Sequence, residues 1–133
     1  MIKKINHFAI VGKSNEEMES LFANLFGFEV SEKLEVPEQG FKTTLISKED
    51  ATIELIEPIG TEGGIAKFLE KRGGGLHHVS LQVDDIDKEV EQLKAKGVKL
   101  LGEKPVQPSE GSRIIFIHPS SVGGILIELM ERS

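Results

Sequence analysis

Four ionisable side chains stand in segments that otherwise read as apolar strands. His7 lies in Ile5-Asn-His-Phe-Ala-Ile-Val11, Glu54 in Thr52-Ile-Glu-Leu-Ile56, His78 in Leu76-His-His-Val-Ser-Leu-Gln-Val83 and Glu128 in Ile125-Leu-Ile-Glu-Leu-Met130. A carboxylate in an apolar strand is costly to bury unless it has a partner. For any one of the four, a solvated strand face is the simpler explanation. All four at matched positions argue for convergence. Two neutral imidazoles and two carboxylates make a divalent metal site with nitrogen and oxygen ligands. The absence of thiolates argues against a structural zinc site. Four protein ligands leave two positions of an octahedron for a chelating substrate.

Strand alternation places these groups. Phe8 and Ile10, Ile53 and Leu55, Val79, Leu81 and Val83, and Ile125, Ile127 and Leu129 form greasy faces expected to meet helices. His7, Glu54, His78 and Glu128 fall on the second face of their strands. His77 points away from His78 and reads as a packing residue. His118, before Pro119, reads as structural. Glu38, in the loop Val36-Pro-Glu-Gln-Gly40, is an exposed carboxylate by default.

The elements that must carry these residues repeat. The first half reads as a strand over Lys4–Val11, then Ser14-Asn-Glu-Glu17, a capping box for a helix start. Met18, Leu21, Phe22 and Leu25 follow at helical spacing, and Gly27 stops the helix. An extended stretch from Phe28, a strand over Phe41–Ser47, a turn at Lys48–Asp50 and a strand over Thr52–Ile56 complete it. The second half has a strand over Leu76–Val83 and a helix capped by Asp84 or Asp85 that carries Ile86, Val90 and Leu93. Gly97 stops that helix. Extended residues Val98–Leu101 and strands over Ser112–Ile117 and Ile125–Met130 follow, with Gly123-Gly124 in the turn. Gly64–Arg72 reads as a connecting helix. His7 precedes Gly27 by 20 residues and His78 precedes Gly97 by 19; His7 precedes Glu54 by 47 and His78 precedes Glu128 by 50. These spacings predict an α+β fold of two tandem βαβββ modules, about 1–60 and 74–133, joined by a short helical linker in one domain spanning 1–133. The modules form a curved mixed sheet around a metal-binding cup, with helices on the outer face.

Composition excludes several other functions. The 133 residues are 38 % hydrophobic, with 14 Gly, which is ordinary for a globular chain with a real core. No apolar stretch approaches membrane-spanning length. Lys3-Lys4 and the short run after them give no secretory signal. There is no Cys, which excludes thiolate sites and Cys nucleophiles and fits a cytoplasmic location. A net charge of −6 with no Trp or Tyr makes nucleic acid an unsuitable partner. Phosphate-cradling and dinucleotide glycine patterns are missing, as is His-Glu-x-x-His.

At these residues the sequence resembles the vicinal oxygen chelate superfamily, and within it most resembles the methylmalonyl-CoA epimerases. The likeness runs from Ile5 to Met130. It is carried by Ile5-Asn-His-Phe-Ala-Ile-Val, Pro37-Glu-Gln-Gly, Ile53-Glu-Leu-Ile-Glu-Pro, Gly75-Leu-His-His-Val, Val83-Asp-Asp-Ile, Phe116-Ile-His-Pro and Gly123-Gly-Ile-Leu-Ile-Glu-Leu. The resemblance implies metal ligands at His7, Glu54, His78 and Glu128, with Glu54 standing where the family often has Gln. It implies two catalytic bases, Glu38 from the loop and Glu128, which doubles as ligand. The implied cofactor is a divalent cation, one of Co, Mn, Ni, Mg or Zn. The implied partners are an acyl-CoA substrate and a second copy of the chain, with no nucleic acid or membrane. Lys67, Lys71, Arg72, Lys104 and Arg113 are the basic candidates for CoA phosphates. A lactoylglutathione lyase of the glyoxalase I type would use the same ligands, and a non-catalytic drug-sequestering protein of the superfamily would have no use for them. A ring-cleaving dioxygenase needs two His and one carboxylate, so the second carboxylate counts against it.

Overall fold

The computed structural model describes residues 1–133, except the side chain of residue 109. The chain is α+β, and it divides into two compact units: His7–His77, and His78–Ser133 together with Met1–Asn6.

The elements of the first half are β1 (Ile2–Val11), α1 (Asn15–Phe26), β2 (Glu29–Val36), β3 (Phe41–Lys48), β4 (Ala51–Pro58) and α2 (Gly64–Arg72). Their strands lie in the order β2-β3-β4-β1. β1 runs parallel to β4, and the other pairs are antiparallel. Ser14 caps α1, its hydroxyl accepting from the Glu17 N–H at 3.1 Å, and Gly27 ends the helix in the left-handed region at φ 76°. The second half contains β5 (Gly75–Val83), α3 (Ile86–Ala95), β6 (Leu100–Ser109), β7 (Ser112–Ile117) and β8 (Ile127–Arg132). Its strand order, β6-β7-β8-β5, matches the first position by position, with β5 parallel to β8. Asp85 rather than Asp84 caps α3, through the Lys88 N–H at 3.1 Å.

Three expectations change. β6 continues to Ser109, through Pro105 and Pro108, beyond the stretch ending at Leu101. Two prolines hide a strand from a periodicity reading, and they are tolerated because β6 is the outer strand of its unit, with register shifts around Val106. β8 begins at Ile127 rather than Ile125, because Gly123 and Gly124 hold φ values of 74° and 88° and lengthen the preceding turn. The third change concerns β1. Phe8 does not pack as a core residue and is 40 % exposed, whereas Ala9 and Val11, on the face of His7, are 0 % and 1 % exposed. They pack with Ile56, and Phe41 and the α2 residues Ile65, Phe68 and Leu69 close over them. The connecting helix supplies the apolar cover for that face. In the other unit the greasy face is as expected: Val83 and Leu129 meet Ile86 and Val90 of α3, with Ile115 and Ile117.

Gly74 fixes where the chain leaves α2. Its φ is 103°, and a Cβ there would lie 2.8 Å from the Val11 carbonyl oxygen. The position needs glycine for both conformation and space. No helix among the described residues is long and apolar enough to cross a membrane.

Candidate metal centre

The register of β1 on β4 sets Ala9 beside Glu54 and Phe8 beside Ile53. His7 and Glu54 therefore share a face as diagonal neighbours, close enough for long side chains to meet. They do: His7 Nε2 lies 3.4 Å from Glu54 Oε1. His7 is buried, and the Glu54 side chain is 19 % exposed. An imidazole nitrogen and a carboxylate oxygen, held together on rigid strands, are suitable donors for a borderline divalent ion.

In the other unit, β5 pairs with β8 so that Ser80 stands opposite Glu128. His78 lies two residues before Ser80 and shares its face, and β7 adds Phe116, paired with Glu128. His78 and Glu128 are both buried. The Phe116 ring meets His78 edge-on, with centroids 5.4 Å apart, and restrains the imidazole. Phe116 was not singled out as a site residue from sequence, although it sits in the distinctive Phe-Ile-His-Pro segment.

His77 packs differently from His78, its ring 4.9 Å from Phe68 of α2 in a T-shaped contact. Burial pushes the His77 imidazole below the usual histidine range; Glu54 opposes that shift and Arg72 adds to it. The His118 Nδ1 accepts from the Ser120 N–H at 3.1 Å, capping the turn Pro119–Ser121. Glu38 lies in a 3-10 turn, Pro37–Gln39, between β2 and β3, and is exposed. The turn ends at Gly40, whose carbonyl accepts from the Ile59 N–H at 2.8 Å. The structure thus brings His7 to Glu54 in one unit, sets His78 and Glu128 on one face of neighbouring strands in the other, and leaves Glu38 on a surface turn. Of the basic candidates, Arg113 is committed elsewhere: it grips Asp87 through two 2.8 Å hydrogen bonds. Arg72 lies over the Phe68 ring at 5.3 Å.

A second pair of carboxylates ties each helix to its sheet. Glu57 accepts from the Asn15 N–H at the start of α1 at 2.9 Å, and Glu131 accepts from the Ile86 N–H at the start of α3 at 2.8 Å. Each has a cation beside it, Lys42 at 3.4 Å and Arg113 at 3.9 Å. Both glutamates stand three residues after a candidate ligand, so alternation turns them to the helix side.

These strands and side chains define a class of protein. The chain belongs to the Glyoxalase/Bleomycin resistance protein/Dioxygenase superfamily, whose family model matches residues 6–116. Within that superfamily the likeness is to the methylmalonyl-CoA epimerases. The chain is 39 % identical over 132 residues to the mitochondrial methylmalonyl-CoA epimerase of Dictyostelium discoideum, covering 98 % of this chain and 80 % of that one. It is 35 % identical over 133 residues to the ethylmalonyl-CoA/methylmalonyl-CoA epimerase of Cereibacter sphaeroides, covering 98 % and 99 %. A solved variant of the Streptomyces coelicolor methylmalonyl-CoA epimerase, in complex with 2-nitronate-propionyl-CoA, superposes with a TM-score of 0.91 at 29 % identity, covering 100 % of this chain and 99 % of that one.

Proposed function

We propose that the protein epimerises (R)- and (S)-methylmalonyl-CoA by a 1,1-proton transfer, with His7, Glu54, His78 and Glu128 as ligands of one divalent cation. The observation that carries the reading is the match to epimerases along almost the whole of this chain and of the Cereibacter sphaeroides protein. The donor chemistry supports it: His7 and Glu54 bring an imidazole nitrogen and a carboxylate oxygen together in one unit, and the other unit offers a buried imidazole at His78. Glu128 adds a second carboxylate, buried on the face of His78.

The reaction removes the C2 proton, between a thioester and a carboxylate, and returns a proton on the other face. The bound cation would supply a Lewis acid that stabilises the developing enolate by several kcal/mol. The rest falls to the chain's own groups. A base on each face must come within hydrogen-bond reach of C2. Glu38 takes the proton from one face and Glu128 delivers one to the other; in the reverse direction they exchange roles. An exposed carboxylate on a turn that ends at a left-handed glycine supports this role for Glu38. The apolar residues beside His7, Ala9 and Val11, keep water from that strand face.

We also propose a cytoplasmic homodimer. Phe8, Leu25 and Leu76 are among the large apolar side chains left exposed, and a second copy would cover such surface. The test of function is turnover of purified protein on methylmalonyl-CoA and on the glutathione hemithioacetal of methylglyoxal. Epimerisation of the first alone is expected. Turnover of the hemithioacetal alone would instead identify a lactoylglutathione lyase, and metal-free protein that binds small molecules without turning either over would identify a sequestering protein.

A further inference from the structure

Ser80 is 0 % exposed, and its hydroxyl has no hydrogen-bond partner among the described residues. A buried hydroxyl left without a bond is costly, and native proteins seldom retain one without a use for it. The side chain paired with Ser80 across the parallel ladder is Glu128, itself 6 % exposed. Neighbouring strands lie about 4.8 Å apart, so a glutamate that turns toward the serine opposite it can reach the hydroxyl. The chemistry is complementary. A serine hydroxyl can donate, an ionised carboxylate only accepts, and a buried carboxylate requires donors.

Comparison of the two halves sharpens the point. His7 is followed two residues later by Ala9, which stands opposite Glu54. His78 is followed two residues later by Ser80, which stands opposite Glu128. Ala9 and Ser80 are both 0 % exposed, so the repeated positions differ by one buried oxygen atom. The first carboxylate faces a methyl group and the second faces a hydroxyl. The two glutamates are thereby given unequal surroundings by otherwise matching frameworks.

We propose that Ser80 is a positioning residue: the Glu128 carboxylate, which the Ser80 hydroxyl does not hydrogen-bond in the structure, turns toward it and accepts from it, so that one oxygen is held and the other is left for the metal and the substrate. This rests on the reading of Glu128 as ligand and base given above. It explains why only one of the two strand carboxylates is asked to do both jobs. Glu54, facing Ala9, is left as a ligand alone.

The contact is tested first without metal. A double-mutant cycle of Ser80→Ala and Glu128→Leu is followed by thermal unfolding of the metal-free protein. Ser80→Ala is expected to lower Tm by a few degrees when Glu128 is present, and to leave it unchanged or raise it in Glu128→Leu, where the hydroxyl has lost its acceptor. Equal shifts in the two backgrounds would overturn the contact. Positioning is then read by calorimetric titration with Mn2+ well below Tm. Loss of a residue that orients a ligand typically weakens metal binding by about 10–100-fold, and Ser80→Ala should do so. Wild-type Mn2+ affinity in Ser80→Ala would overturn the positioning role. If the unmodified protein binds no Mn2+, it is the metal reading that fails, and the thermal cycle still decides the contact on its own.

Discussion

Glu54 and Glu57 stand three residues apart on β4 and do different work, because a strand turns odd and even positions to opposite faces. Glu54 meets His7, while Glu57 holds the start of α1. The same division separates Glu128 from Glu131 and His78 from His77. It makes the two neighbouring histidines separable by experiment. His78→Ala should abolish binding of a divalent metal and activity. His77→Ala should keep both and lose the Phe68 contact, at a cost of about 1 kcal/mol in stability. Metal content and thermal unfolding of the two variants decide it, and equal loss of metal would mean that both histidines reach the ion. Glu38 calls for a different variant, because it belongs to a turn and no strand fixes it. Glu38→Gln keeps the shape of the side chain and removes the base. It should retain metal and epimerise about 10²–10⁴-fold more slowly. Exchange of the C2 proton with solvent should survive for one epimer and fail for the other, since Glu128 still serves its own face. Unchanged turnover would return Glu38 to the status of a surface carboxylate.

At the scale of elements, local chemistry made much of the fold legible. Ser14, Gly27 and Asp85 act as helix caps and stops where their residue types led one to expect them. Alternation alone was enough to separate Glu54 from Glu57 and Glu128 from Glu131. Other features depend on tertiary context. The apolar cover over Ala9 and Val11 comes from α2, which nothing in a strand's own pattern can announce. The extension of β6 through two prolines depends on its being an outer strand. Ser80 is invisible in sequence, because its interest lies in what stands across the ladder. The helix ties were also hidden, since Glu57 and Glu131 look like ordinary strand-end carboxylates. Replacing either with Ala should cost about 1–3 kcal/mol, the usual range for a hydrogen bond to a charged group whose partner is left behind. Denaturant unfolding checks this, and a change below a few tenths of a kcal/mol would make the ties incidental. Gly74→Ala tests the exit from α2. It forces a Cβ to within 2.8 Å of the Val11 carbonyl oxygen at a positive φ, and should destabilise by about 1–3 kcal/mol.

For the whole molecule, the two halves share one strand order and one kind of helix tie, and they differ where Ala9 stands opposite Glu54 and Ser80 opposite Glu128. A protein with a net charge of −6 that acts on an anionic acyl-CoA must rely on local positive charge or on its metal. Arg113, already held by Asp87, is removed from the cations available for that purpose. A chain of 14.6 kDa should sediment as a homodimer, and a monomer at micromolar concentration would remove that part of the proposal. The central claim is metal-dependent proton transfer at C2 of methylmalonyl-CoA, and its most direct measurement is proton NMR of each C2 epimer in D2O with the purified protein. The account predicts that deuterium enters C2 from either epimer while both converge on the equilibrium mixture of the two, that chelation of the metal stops this, and that adding back a divalent cation restores it. Exchange at full rate in the chelated protein, or none in the metal-loaded protein, would contradict it.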